Sequence, residues 1–211
     1  MKAKAILYLM TTVLICFSCN YVSKEKKQAA MDYHDKMFSY YTPVVLKINE
    51  LFSTTSQLTR VAVNGSLDSI STAKVYADIS NLVSMIDMYT DSLNKIDEFD
   101  SKILYKKVCL ENFADCKKLL LNEYPKLIKK ISEGVTAENS IEIEEIILDI
   151  YWKFIVVQKN SQETQLEFAK KYKFKLTGTL VNIEQLEIRY HQYKKALNNK
   201  KMNYYLDPIS E

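Results

Sequence analysis

The chain has 211 residues, 47% hydrophobic and 26% charged, with a formal net charge of +3 at pH 7. This composition excludes an intrinsically disordered protein, because disorder accompanies low hydrophobicity and high net charge. Three glycines and three prolines are too few for a collagen, a low-complexity linker or a turn-rich β architecture. The sequence therefore predicts an all-α fold built mostly from long helices.

The first eighteen residues have the pattern of a secretory signal peptide. Lys2 and Lys4 provide a charged start, and residues 5–18 carry no charge and are rich in large apolar side chains. As a helix this apolar stretch would span ~21 Å, which is short against a hydrocarbon core of ~30 Å. We therefore interpret residues 1–18 as a signal peptide.

The end of this segment, Leu14-Ile15-Cys16-Phe17-Ser18-Cys19, resembles the lipobox of bacterial lipoproteins. Ser18 matches the small residue before the cleavage site and Cys19 the lipidated cysteine, whereas Cys16 stands where that family usually has leucine. The resemblance implies that Cys19 carries several acyl chains, such as palmitate, which anchor a protein stably where one chain would not. It places the mature protein in the bacterial cell envelope, at the outer membrane. An ordinary cleaved signal and an uncleaved membrane anchor are the alternatives.

After a lipidated tether over residues 19–27, the apolar period predicts a helical bundle domain over residues 28–201 and an irregular tail over 202–211. The first helix is predicted from Lys24 to about Asn64, where Asn64-Gly65-Ser66 indicates a reversal. Pro43 either kinks this helix or starts a new segment. The second helix, about Asp68 to Phe99, carries a heptad-like seam of Val75, Ile79, Leu82, Ile86, Tyr89, Leu93 and Ile96.

Three further helices complete the predicted bundle. The third runs from Ser101, with Asp100 or Ser101 as its cap, to Ser132, and Pro125 should kink or divide it. The fourth and fifth cover about 137–171 and 180–200, separated by a break near Gly178. Short connections force neighbouring helices to run antiparallel. The prediction is an antiparallel bundle of about four long helices plus a shorter C-terminal helix.

The residue types that usually carry catalysis or metal binding are scarce, and no motif for either is present. His34 lies between Asp32 and Asp35 and is predicted to be exposed; Glu187 and His191 are predicted to form a surface pair, with an acid–base or metal role as the alternative. Cys109 and Cys116 are predicted to be small buried side chains, the alternative being a metal or redox pair. We therefore predict no catalytic residue, no metal ligand and no cofactor.

Tyrosine is the enriched aromatic residue, with 15 copies against 8 phenylalanines and 1 tryptophan. At helical spacing these rings are usually core residues with their hydroxyl groups at the rim. The alternative is a groove for an apolar or glycan ligand, or a partner surface, where tyrosine and tryptophan concentrate. The candidate residues for such a surface are Tyr151, Trp152, Tyr190 and Tyr193.

Cleavage before Cys19 would remove Lys2 and Lys4 and leave 27 basic against 26 acidic residues, so we expect no nucleic-acid partner. Residues 167–201 are nevertheless basic, either because the fifth helix docks on acidic helices or because they form a patch for anionic headgroups or an acidic partner. The body is faintly similar to uncharacterised helical lipoproteins of Gram-negative bacteria. The predicted function is non-catalytic: a binding or structural protein of the cell envelope, held to the membrane by lipid, with an envelope protein as a further candidate partner. An envelope enzyme and a metal or cofactor carrier are the alternatives.

Overall fold

The structure is a computed structural model that describes residues 22–62, 69–177 and 181–206. The predicted signal peptide, Cys16, Cys19, the reversal at residues 64–66 and the last residues of the tail, 207–211, lie outside the described residues. Regular secondary structure in the described part is entirely helical, as the composition predicted.

The described residues form six α-helices, two of which are joined end to end into one rod. They are α1 (Lys24–Ala62), α2 (Ser69–Asn94), α3 (Tyr105–Lys118), α4 (Tyr124–Ser132), α5 (Ala137–Tyr172) and α6 (Ile183–Leu206). A π-helical turn, Leu119–Glu123, joins α3 to α4. The rods α1, α2, α3–α4 and α5 pack together, and α6 packs on α5 alone among the described helices. The predicted bundle of four long helices plus a shorter C-terminal helix is confirmed.

The apolar seams predicted from helical spacing form one continuous core. On α2, Val75, Ile79, Leu82, Ile86 and Leu93 are buried and Tyr89 is half-buried; Ile96, predicted to belong to the same helix, lies two residues beyond its end and is half-buried against the same core. On α1, the residues that recur at steps of three and four are also buried: Met37, Tyr41, Val44, Ile48 and Leu51. Because these helices turn their apolar stripes inward, most of the charged residues between the stripes face solvent.

The two prolines inside predicted helices have different consequences. Pro43 lies within α1, which is continuous from Lys24 to Ala62. Pro125 lies in the first turn of α4, where its missing N–H has no helical partner to lose. The π-helical turn immediately before it widens the backbone, which confirms the predicted division near Tyr124.

The third helix begins later than predicted, and its cap is a different residue. The α3 helix starts at Tyr105 rather than Ser101, and Glu98 accepts hydrogen bonds from the backbone N–H groups of Lys106 and Lys107, at 3.2 Å each. Asp100 instead accepts from the N–H groups of Lys102 (2.8 Å) and Ile103 (3.3 Å). The buried carboxylate of Asp100 therefore closes the turn before the helix, while Glu98 satisfies the free donors of the helix itself.

The C-terminal part of the chain is more helical than predicted. The α6 helix begins at Ile183 and continues to Leu206, so residues 202–206 of the predicted irregular tail are helical. The α5 helix begins with a capping box between Thr136 and Asn139. It ends where Lys173 adopts a left-handed backbone conformation (φ 56°) and Phe174 N–H donates to the carbonyl of Ala169 at 3.1 Å.

Candidate functional site

The four aromatic residues predicted to form a ligand or partner surface lie on two different sides of the α5–α6 contact. Trp152 stacks on Tyr190 with ring centroids 4.6 Å apart, and His191 lies 6.0 Å from Trp152. The ammonium group of Lys194 lies 5.6 Å from the centre of the Tyr190 ring. Trp152 and Tyr190 thus belong to the interface that holds α6 on α5.

Tyr151 and Tyr193 line a groove on the other side of this contact. One residue along a helix rotates the side chain by about 100°, so Tyr151 and its neighbour Trp152 face different surroundings. The groove is a cavity of about 750 Å³ between α1, α5 and α6. We call it the α1–α6 groove, and its lining residues are Asn49, Phe52, Ser53, Ser56, Glu144, Ile147, Leu148, Tyr151, Phe154, Gln158, Val181, Leu186, Tyr193, Ala196, Leu197 and Lys200.

The walls of the α1–α6 groove are mainly apolar. The Phe52 ring of α1 lies at the floor, within 6.2 Å of the Tyr151 ring and 5.7 Å of the Phe154 ring. Tyr193, one of the four candidate surface residues, is 60% exposed and forms part of the rim. Glu144 and Lys200 pair at 2.7 Å at one end, so the two charges in the lining neutralise each other.

A smaller cleft of about 260 Å³ continues the α1–α6 groove between α1 and α5, with Asn49, Gln158 and Val181 common to both cavities. Its lining includes several polar side chains, among them Gln162 and Gln165. Gln165 donates to the hydroxyl of Ser161 at 3.0 Å, and the hydroxyl oxygen of Thr42 is buried without a hydrogen-bond partner among the described residues. Along α5 the two cavities extend from Glu144 to Gln165, a rise of ~30 Å.

Ion pairs supplement the apolar contacts that hold α6 on α5. Lys159 of α5 pairs with Glu187 at 2.9 Å, and Lys200 and Lys201 pair with Glu144 and Glu145 in the first turns of α5. These pairs are the charge complementarity anticipated for the basic C-terminal helix. They also show that Glu187 pairs with a lysine, whereas His191 lies against the Trp152 and Tyr190 rings rather than forming the predicted surface pair.

His34, predicted to be exposed, is buried. Its Nδ1 lies 3.0 Å from the hydroxyl oxygen of Tyr105, and its ring lies 5.5 Å from that of Phe174. Burial lowers the pKa of His34, which favours the neutral imidazole. The burying groups come from α3 and from the segment after α5, so the flanking aspartates gave no indication of them.

Asp100 is a buried carboxylate with several hydrogen-bond partners. It accepts from the Tyr172 hydroxyl at 2.8 Å and from two backbone N–H groups, and it pairs with Lys171. Burial alone would raise its pKa, but the hydrogen bonds and the lysine outweigh that effect and hold the pKa of Asp100 well below its ordinary value. The carboxylate is therefore ionised over the physiological range and ties the end of α5 to the loop before α3.

The two described cysteines are free and buried in the core, as predicted for small apolar side chains. Burial raises the pKa of both Cys109 and Cys116 to about 12, so each remains a thiol at neutral pH. Among the described residues, no three His, Cys, Asp or Glu side chains are grouped closely enough to hold a metal ion.

Compared with known protein families, curated proteins and solved structures, the chain matches none. In residues 22–62, 69–177 and 181–206, every helix is too short or too polar to span a bilayer.

Proposed function

We propose that this chain is a non-catalytic binding protein of the bacterial cell envelope, exported by its N-terminal signal and anchored through acyl chains on Cys19. The α1–α6 groove is the observation that carries the binding role. Its volume of about 750 Å³ lies within the range of ligand pockets, roughly 300–1,000 Å³, and its lining is mainly apolar with a few polar groups. The lipobox-like sequence before Cys19 supports the anchor.

The ligand that fits this groove is an elongated, uncharged amphiphile, such as a single acyl chain with a neutral polar end. Phe52, Ile147 and Leu197 offer apolar contact along the groove. The amide groups of Asn49 and Gln158, which line both cavities, offer hydrogen-bonding groups to the polar end of such a ligand. A charged ligand is disfavoured, because Glu144 and Lys200 already satisfy each other. Since α6 packs on α5 alone among the described helices, the gap between α1 and α6 can widen without breaking a contact between them.

Binding of a radiolabelled monoacylglycerol provides a direct test of this ligand class. We expect saturable binding by protein from Asn20 onward, because the groove offers a mainly apolar wall to one acyl chain. Aspartates at two rim positions, Val181→Asp with Tyr193→Asp, should weaken binding at least about tenfold by placing charge on the apolar wall. Both positions are exposed, so the fold should tolerate them.

The matched control for this test is Ile188→Asp. Ile188 lies on α6, like Tyr193, and is 49% exposed, but it does not line the groove. This variant should bind the probe like the wild type. Binding that never saturates, or equal weakening in the rim and control variants, would rule out the groove as the binding site.

The lipid anchor is tested at Cys19 itself. We expect Cys19→Ala to abolish acyl labelling and to leave the precursor uncleaved or cleaved elsewhere, because the acylated residue is missing. Cys16→Ala should be labelled and processed normally. Metabolic labelling with a fatty acid and the mass of the mature chain are the measurements. Labelling that is lost in Cys16→Ala but kept in Cys19→Ala would move the acylated residue to Cys16. A wild-type chain without label would refute the proposal that the protein is a lipoprotein.

A further inference from the structure

Three chain segments meet at the end of the bundle where α1 begins. The start of α1, the loop between α2 and α3 and the end of α5 lie together, because α2 returns antiparallel to α1 and α5 runs back to the same end. The ammonium of Lys26 lies 5.9 Å from the Tyr172 ring centre, and the Phe99 and Tyr172 rings lie 5.2 Å apart. We call residues 22–28, 95–107 and 170–177 the basic end.

The basic end has a strong excess of positive charge. It contains eleven lysines and four acidic residues, Glu25, Asp97, Glu98 and Asp100. Two of these carboxylates already have partners within the fold. Glu98 accepts hydrogen bonds from the Tyr33 hydroxyl and from backbone N–H groups of α3. Asp100 accepts from the Tyr172 hydroxyl and pairs with Lys171. The lysines are Lys24, Lys26, Lys27, Lys95, Lys102, Lys106, Lys107, Lys170, Lys171, Lys173 and Lys175.

The opposite end of the bundle has no such excess. Residues 56–62, 69–75 and 126–142, which belong to it, contain five basic and three acidic residues. Helix electrostatics explain only part of the difference. Lysines at the end of α5 complement the negative end of its dipole, but Lys24, Lys26 and Lys27 occupy the start of α1, where positive charge is unfavourable. These three lysines therefore do not stabilise the helix, which points to an interaction with another molecule.

The predicted anchor enters the structure at this same end. Cys19 precedes Val22, the first described residue, by three positions and the start of α1 at Lys24 by five. Even fully extended, five residues span only ~17 Å. An acylated Cys19 would thus hold the basic end within about two Debye lengths of the bilayer surface at physiological ionic strength. Leu104, an exposed apolar side chain, lies at the same end.

We propose that the basic end docks on a membrane surface of negatively charged lipid headgroups, so that the bundle stands on the bilayer with the α1–α6 groove along its side. This proposal rests on the anchor proposed at Cys19. The acyl chains provide the attachment, and the lysines fix which end of the bundle faces the lipid. Each lysine near an anionic surface strengthens the contact by about fivefold at low salt.

Site-resolved lysine modification of the full chain, reconstituted with vesicles, tests this orientation. One set of vesicles is pure phosphatidylcholine and the other contains equal parts of phosphatidylcholine and phosphatidylglycerol. Modification by an acetylating reagent is followed by mass spectrometry at Lys102, Lys170 and Lys175, with Lys74, Lys129 and Lys195 as exposed controls away from the basic end. We expect the first three to react about fivefold or more slowly on anionic vesicles only, with salt abolishing the difference.

A triple variant tests whether these lysines act together. Lys102→Gln, Lys170→Gln and Lys175→Gln alter exposed side chains, so the fold should be kept, and protection of Lys24 on anionic vesicles should fall. The matched control replaces Lys74, Lys129 and Lys195 by glutamine and should leave Lys24 protected. Equal protection of Lys24 in the two variants would overturn the proposal.

Vesicle flotation separates failure of the docking from failure of the anchor. A chain that floats with both vesicles but reacts equally on both would overturn the docking and keep the anchor. Flotation with anionic vesicles only would support the docking and refute the anchor, and flotation with neither would overturn both. Protection in native envelopes but not on vesicles would overturn lipid docking in favour of an acidic protein partner.

Discussion

Replacing Phe168 by alanine is expected to lower the free energy of unfolding by about 3–5 kcal/mol. Phe168 is 0% exposed, and its ring lies within 6.1 Å of five others, from Tyr33, Phe99, Tyr105, Tyr172 and Phe174. These rings come from α1, the loop before α3, α3 itself and both sides of the end of α5. Removing the central ring would leave a cavity that no single helix can close by shifting, so the cost should lie in the upper range for an aromatic truncation.

Urea unfolding followed by far-ultraviolet circular dichroism would measure this loss. The matched control is Leu166→Ala, two residues earlier on α5, where the side chain is 44% exposed. We expect that variant to lie within about 0.5 kcal/mol of the wild type, as surface substitutions usually do. A loss of less than about 1 kcal/mol in Phe168→Ala would mean that the aromatic cluster is not packed as described.

The bundle could be predicted from the sequence because the residues that define each helical face lie close together along the chain. The recurrence of Val75, Ile79, Leu82 and Ile86 defines a helical face within a single segment, and short connections then dictate the antiparallel order. The limits of the helices were harder to predict. The cap of α3 is Glu98, seven residues before the helix starts, and no local capping pattern identifies a carboxylate at that distance.

The candidate site was only partly predictable, because it depends on which helices become neighbours. The pairing of Tyr151 with Tyr193, and of Trp152 with Tyr190, follows from how α6 lies on α5, which sequence spacing does not specify. Phe52 of α1 lines the same groove, but in the sequence it is only an apolar residue next to a helical stripe. His34 was misjudged for a related reason: its two flanking aspartates point elsewhere, and Tyr105 and Phe174 cover it from distant segments.

Asp100→Ala is expected to lower the free energy of unfolding by about 2–3 kcal/mol at pH 7. The variant would lose the acceptor for the Tyr172 hydroxyl and for the N–H groups of Lys102 and Ile103. These donors lie at or near the buried junction between the α2–α3 loop and α5, where lost hydrogen bonds are costly. Lys171 should add less than its close contact suggests, because its side chain is 38% exposed and solvent screens the ion pair.

The same carboxylate should make stability depend on pH in a defined window. Because the pKa of Asp100 is lower in the folded protein than its unfolded value of ~3.9, the folded state favours the ionised form. That contribution is fully present above pH ~4 and is lost as the pH falls below the unfolded pKa toward the folded one. The difference in stability between wild type and Asp100→Ala should therefore shrink by about 1 kcal/mol between pH 7 and pH 3. Urea midpoints at the two pH values give the measurement.

Asp97→Ala alters an exposed carboxylate of the same loop and is the control. We expect its stability to equal that of the wild type at both pH values. A constant difference between the two pH values would mean that the pKa of Asp100 is not lowered by folding, and that its hydrogen bonds act without help from its charge.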